Sequence, residues 1–300
     1  MINTKLAFIE PKSTAKVSTI YSLITSIITL TILIISGLLL INELPQLKEV
    51  LPINNPLGIF GVLIGVIIGA VIGLIINYAF TYLNALLYNY LIQHFKGIQF
   101  ELTPHNEIKE IDIIPSLTMI MIILAVWLII EGILLFLSFS IVLSALSHAS
   151  TLFGNINIAS IATGSLTVVT ISILLTWIIF ALLGLIVMFI FNFYSRKNPL
   201  KLDIIEDNGL EIRSIDILSY VMSIGFTIIT LALIRTLISI MISGSMEVAI
   251  LNIINTIALC LVFATITPFI YNFIASKVGG IIFDIVPSDN MVQEYSIDKK

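Results

Sequence analysis

Tyr88-Asn89-Tyr90-Leu91-Ile92-Gln93-His94-Phe95-Lys96-Gly97-Ile98-Gln99-Phe100-Glu101-Leu102 is the stretch on which the fold turns. It opens with an aromatic-Asn-aromatic triplet at the foot of a long apolar run. A short basic passage follows, and then Gly97–Leu102, where apolar and polar residues alternate. Alternation with period two marks a half-buried strand. The arrangement recurs twice. Phe191-Asn192-Phe193 precedes Leu200-Lys201-Leu202-Asp203-Ile204, and Tyr271-Asn272-Phe273 precedes Gly280-Ile281-Ile282-Phe283-Asp284-Ile285. Turn residues come next in each case: Thr103-Pro104-His105-Asn106, Asp207-Asn208-Gly209 and Pro287-Ser288-Asp289-Asn290. Return segments then end in Ile111-Asp112, Ile215-Asp216 and Ile297-Asp298, and Leu6–Glu10 stands in the same relation to the first apolar run. Strand, turn and strand read as a hairpin, most clearly at Asn208-Gly209.

Between these hairpins the chain is apolar. Of its 300 residues 58% are hydrophobic and only 11% are charged, against roughly 25% charged in a soluble domain. Six stretches exceed the ~20 apolar residues that span a bilayer: Val17–Ile41, Leu57–Gln93, Ser116–Leu146, Ser165–Tyr194, Leu218–Ile242 and Val248–Ser276. The expected fold is an all-α polytopic membrane protein: six transmembrane helices in three tandem two-helix repeats, with short cytoplasmic β-hairpins. The repeats divide the chain at 1–104, 105–207 and 208–300. Each runs strand, outward helix, external loop, inward helix, strand. Seven candidate strands result where threefold symmetry needs six, the last being around Tyr295–Asp298. The stretch before the first span carries Lys5, Lys12 and Lys16 but no small-residue cleavage site, so that span is read as retained.

Nearly all the Lys and Arg, from Lys5 to Lys300, fall on one side of a six-span arrangement. Lys48 is on the other side and Arg235 is inside a span. Basic residues are retained on the cytoplasmic face, so the expectation is a multi-pass cell-membrane protein with both termini cytoplasmic. Cys260 is the one cysteine and sits in an apolar run. The histidines are scattered at 94, 105 and 148. No metal-ligand spacing, phosphate-binding glycine loop or catalytic triad is legible, so neither an enzyme nor a cofactor is expected. The small net charge of -4 gives no reason to expect nucleic acid.

Ile9-Glu10-Pro11-Lys12-Ser13 with Lys16-Val17-Ser18, and Phe269-Ile270-Tyr271-Asn272-Phe273-Ile274-Ala275 with Val278-Gly279-Gly280-Ile281, resemble the start and the end of a two-helix transmembrane family of unknown function best known from actinobacteria. The middle unit departs most, with Asn198-Pro199 in place of the paired glycines. The resemblance implies three fused copies of a small membrane domain. It implies no catalytic residues.

An ungapped alignment on Ile9, Ile111 and Ile215 places Thr29, Glu131 and Arg235 at one repeat position. These two charges are the only ones inside any span. Ionisable groups in a bilayer are expensive and face protein or water, so Glu131 is expected to pair with Arg235, with Thr29 nearby, as a structural clasp. An ion or proton path is the alternative. Gly61, Gly65, Gly69 and Gly73, spaced by four, mark a helix-packing face, internal or toward a partner. In the triplets Tyr88, Asn89, Phe191, Asn192, Tyr271 and Asn272 form the joint between helix and strand. The aromatics would sit in an interfacial belt, and the Asn would cap the helix in the left-handed conformation. The apolar strand faces must be buried in one small sheet or barrel, or on the bilayer, and exposed strand edges would suit a partner strand. The function expected from these features is a non-enzymatic integral membrane scaffold or accessory subunit of a membrane complex. Its partners would be the lipid bilayer and other membrane protein subunits, with no small-molecule substrate. The alternative is a small channel or transporter built on pseudo-threefold repeats around the Glu131/Arg235 pair.

Overall fold

Short amphipathic strands leave unpaired backbone edges, and six of them here satisfy one another in a ring. In the computed structural model, which describes residues 2–43, 56–153, 158–206, 209–243 and 247–288, six antiparallel strands close into a barrel. They are β1 (Ile2–Ile9), β2 (Gln99–Leu102), β3 (Glu107–Ile111), β4 (Leu200–Glu206), β5 (Leu210–Ile215) and β6 (Ile281–Pro287), in that spatial order. β2–β3 and β4–β5 are the expected hairpins. The ring closes between the chain's first and last described strands, with Lys5 opposite Val286 and Leu6 opposite Ile285.

The helices leave and re-enter this barrel. They are α1 (Pro11–Glu43), α2 (Pro56–Leu91), α3 (Ile113–Phe153), α4 (Ile158–Ser195), the short α5 (Ile217–Tyr220), α6 (Phe226–Ser243) and α7 (Glu247–Val278). One π-helical turn (Val221–Gly225) links α5 to α6. Six helical segments are long and apolar enough to cross a membrane, and they coincide with the six expected spans. The 41 residues of α3 reach about 60 Å at ~1.5 Å per residue, well beyond the ~30 Å hydrocarbon core.

An all-α description does not hold. The hairpins are not separate appendages to a helical protein. They pair edge to edge into a closed barrel, because an open edge of N–H and C=O groups is costly and closure removes it. Closure also takes up, among the described residues, the registered strand edges that a partner strand was expected to use. Six strands suffice because β1 supplies the return strand that pairs with β6. The seventh candidate, around Tyr295–Asp298, lies outside the described residues, as does Asn208 of the second turn.

The buried core sits where helices meet barrel. One cluster joins Val17, Ile270, Tyr271, Ile274 and Ala275, with Ile212, Ile215 and Ile281 packed against it. The other joins Tyr88, Leu91 and Met119, with Leu6, Ile9 and Ile98. Farther along the spans the apolar side chains are exposed, Ile75 at 64% and Phe263 at 62%. That is the surface a chain presents when its solvent is hydrocarbon.

Candidate functional site

The sequence-predicted joint is the best-defined polar constellation in the molecule. Asn89, Asn192 and Asn272 stand inside α2, α4 and α7, and each turns its amide to the last residue of a strand. Asn89 accepts from Ile9 N (2.9 Å) and donates to Ile9 O (2.7 Å). Asn192 does the same with Ile111 (2.8 and 2.8 Å), and Asn272 with Ile215 (2.7 and 2.9 Å). A carboxamide has the donor and acceptor of a peptide group, so each Asn acts as one more rung of the ladder, supplied by a helix. The left-handed cap expected of these residues is absent. Asn106 alone among the described non-glycine residues has a positive φ, and the three Asn keep helical backbone.

A second set of contacts braces the first. The Tyr88 hydroxyl donates to Leu6 O (2.6 Å) and accepts from Ile98 N (3.2 Å), bridging β1 to the approach of β2. Tyr271 donates to Ile212 O (2.7 Å) and accepts from Ile281 N (3.3 Å), bridging β5 to β6. Phe191 has no hydroxyl for the same duty between β3 and β4. Ser195, one turn on, donates to Lys109 O (2.6 Å) instead. That seam is also the shortest, registered only at Glu107↔Lys201 and Ile108↔Leu200. Two ion pairs lie beside it, Arg196–Glu110 (2.7 Å) and Lys201–Glu107 (3.5 Å).

The tight approach at β6 explains a glycine. Gly280 brings its backbone against β5 so closely that a Cβ there would overlap the Ile212 carbonyl. Its neighbour Gly279 (φ 88°) ends α7 in the left-handed conformation, and Lys16 Nζ caps the same helix end through Val278 O (2.9 Å). Asn198-Pro199 replaces the glycine pair on the approach to β4.

A third recurring contact was not singled out from sequence. The hydroxyls of Ser13, Ser116 and Ser219 accept from Ile282 N (3.0 Å), Gln99 N (3.0 Å) and Lys201 N (3.0 Å). Each serine lies in the first turn of a helix that leaves the barrel, three or four residues past Glu10, Asp112 or Asp216. That acidic-residue spacing was the available signal. A groove of about 540 Å³ opens beside β4 and β5, lined by Lys201, Asp203, Ser214 and Asp216. Its polar groups are already engaged: Asp216 accepts from Ser219 N (2.7 Å), Lys201 meets Glu107, and Ser214 Oγ donates to Asp203 (3.5 Å).

The remaining candidates are dispersed. Glu131 on α3, Arg235 on α6 and Thr29 on α1 are all exposed, and the ion pairs among the described residues do not include Glu131 with Arg235. The serines also correct their alignment. Ile28 lies fifteen residues beyond Ser13, and Glu131 fifteen beyond Ser116. Arg235 lies sixteen beyond Ser219, with the π-helical turn taking up the extra residue. Glu131 and Arg235 therefore keep matching helical positions, while Ile28 replaces Thr29. The four glycines of α2 face open space, since a Cβ added at Gly61, Gly65, Gly69 or Gly73 would meet nothing within 4 Å. They do not pack against another part of the described chain. Trp127 Nε1 donates to Asn84 (2.8 Å) and Asn77 donates to Ser18 Oγ (3.3 Å). These two contacts tie α2 to its neighbours α3 and α1. Comparison with protein-family models, curated proteins and solved structures finds no match to this chain.

Proposed function

We propose that this chain is a non-enzymatic membrane scaffold or accessory subunit, a fused triplication whose barrel is a cytoplasmic platform for three helical hairpins. The observation that carries the reading is the use made of the junction's polar groups. The three Asn side chains, the two Tyr hydroxyls and the three Ser hydroxyls are all spent on fixing helices to strands, which is the chemistry of a rigid support. The recurrence of the same Asn and Ser contacts supports three repeats with boundaries near 104 and 207. So does the likeness of the first and last units to a two-helix membrane family. The basic residues on the barrel side support its placement, and that of both ends of the chain, in the cytoplasm. The open glycine face of α2 supports a partner helix lying against it, because glycine lets two backbones approach in lipid.

Native pull-down from mildly solubilised membranes, read by mass spectrometry, tests this function. A membrane protein that copurifies with the wild type and is lost on Gly65→Leu/Gly69→Leu is the expected result. No crosslinked partner in native membrane would overturn it. The channel or transporter reading retains one support: the helical hairpins follow one another around the barrel until α1 packs against α7, so the spans encircle an axis. Flux in reconstituted vesicles that changes with Glu131→Gln would favour that reading over the scaffold.

A further inference from the structure

We infer that Glu131 and Arg235 pair between two copies of this chain, holding a two-fold dimer within the membrane. This inference is independent of the scaffold reading. The first support is energetic. Both residues lie within membrane-spanning segments, Ile113–Ser138 and Ile217–Met241, and both side chains are exposed. Neither meets an opposite charge among the described residues. An exposed charge well inside a span is costly in hydrocarbon unless something covers it, and Glu131 and Arg235 are opposite in sign, each able to cover the other.

The second support is placement. Counted from the serines that tie α3 and α5 to the barrel, with the π-helical residue taken up, the two charges occupy matching positions and hence matching depths. Glu131 sits ~27 Å along α3 at ~1.5 Å per residue. The third support is the order of the helices. α4 packs against both α3 and α6, so the negative and positive charges flank one helix. A two-fold axis beside α4 brings α3 of each copy to α6 of the other. One operation then makes two Glu131–Arg235 pairs, the self-complementary contact characteristic of isologous dimers. In the low dielectric of the bilayer such a pair binds only where both charges are satisfied together, and losing one partner is worse than losing both.

The experiment uses full-length protein with Cys260→Ser, expressed as two differently tagged copies in native membrane. One copy carries Glu131→Cys and the other Arg235→Cys, and a short thiol crosslinker is added. The expected product is a covalent dimer bearing both tags, at least tenfold above the product from two Glu131→Cys copies. No product with both tags overturns the proposal. So does efficient crosslinking inside a single chain carrying both cysteines, which would make the pair intramolecular. Charge exchange supplies a second readout: Glu131→Arg and Arg235→Glu each lose dimer by native mass spectrometry, and the double exchange restores it. A double variant that inserts normally and stays monomeric also overturns the pairing.

Discussion

An asparagine in the middle of a helix normally gains little. At 89, 192 and 272 the amide donates to and accepts from a single strand residue, so removing it strands an N–H and a C=O at once. An unmade hydrogen bond at a part-buried group costs about 1–3 kcal/mol. Asn192→Ala should therefore lower unfolding free energy by about 2–4 kcal/mol, measured by thermal or denaturant unfolding in detergent, with Asn89→Ala and Asn272→Ala alike. A loss below about 1 kcal/mol at all three would show the clasps to be incidental. The tyrosines make a reciprocal test. Tyr88→Phe removes the contacts to Leu6 O and Ile98 N and should cost about 1–2 kcal/mol. Phe191→Tyr offers a hydroxyl to the seam that lacks one, and should gain up to about 1 kcal/mol. Opposite signs in the two variants are the expected pattern; destabilisation by both would mean that the β3–β4 seam has no room for the hydroxyl.

At the scale of elements, the β3–β4 seam is the barrel's weak line. It has two registered residue pairs, no tyrosine bridge, and two solvent-exposed ion pairs in compensation. Exposed pairs contribute little and are screened by salt. Hydrogen exchange should therefore open β3 and the start of β4 before β1 and β6, and more readily at 1 M salt than at 0.1 M. Equally ready opening of this seam at both salt concentrations would assign the difference to ladder length alone. The π-helical turn at Val221–Gly225 belongs to this scale too. Deleting Met222 lets the turn relax to α-helix and leaves Arg235 fifteen residues beyond Ser219, in the phase that the π-helical turn preserves. The crosslink between Glu131→Cys and Arg235→Cys copies should then persist, and its loss would show that the turn does not take up the extra residue.

Much of this level was legible in the sequence. The apolar runs gave the spans, because length and hydropathy are all a span requires, and the alternation at Gln99–Leu102 and Leu200–Ile204 gave strands. Two things were not legible. Whether three hairpins stay apart or close is decided by pairings between segments about a hundred residues apart, such as Lys5 with Gln99, and no local pattern records that. The helical phase of Glu131 and Arg235 depends on one extra residue before Ser116 and one inside a π-helical turn, and an ungapped alignment passes over both. It therefore picks Thr29 where the serine contacts pick Ile28.

For the whole molecule, the decisive contact is between its ends. β1 and β6 pair along Thr4–Ile9 and Phe283–Pro287, and Glu10 N donates to Ile282 O (2.9 Å). Ser288 N reaches Asn3 O (2.8 Å), while Ser13 and Lys16 at the head of α1 bond to β6 and to the end of α7. The first strand therefore stands where a third hairpin would place its own return strand. Two truncations follow from this arrangement. Removing residues 289–300 leaves all six paired strands in place, so the unfolding temperature should change by no more than about 2 °C. Removing residues 2–9 takes a whole strand from a ring of six. That exposes the edges of β2 and β6 together, deprives Asn89 of its strand partner and Tyr88 of the Leu6 carbonyl, and leaves α1 tied to the barrel only through its own first turns. The loss should exceed the cost of any single clasp and appear as aggregation through the newly opened edges. A synthetic peptide of residues 1–12, added during refolding into micelles, should restore a monodisperse protein because the empty slot is still bounded on both sides. If the shortened chain is as stable as the intact one, closure between the ends is not what holds the barrel, and the three repeats are held by their helices alone.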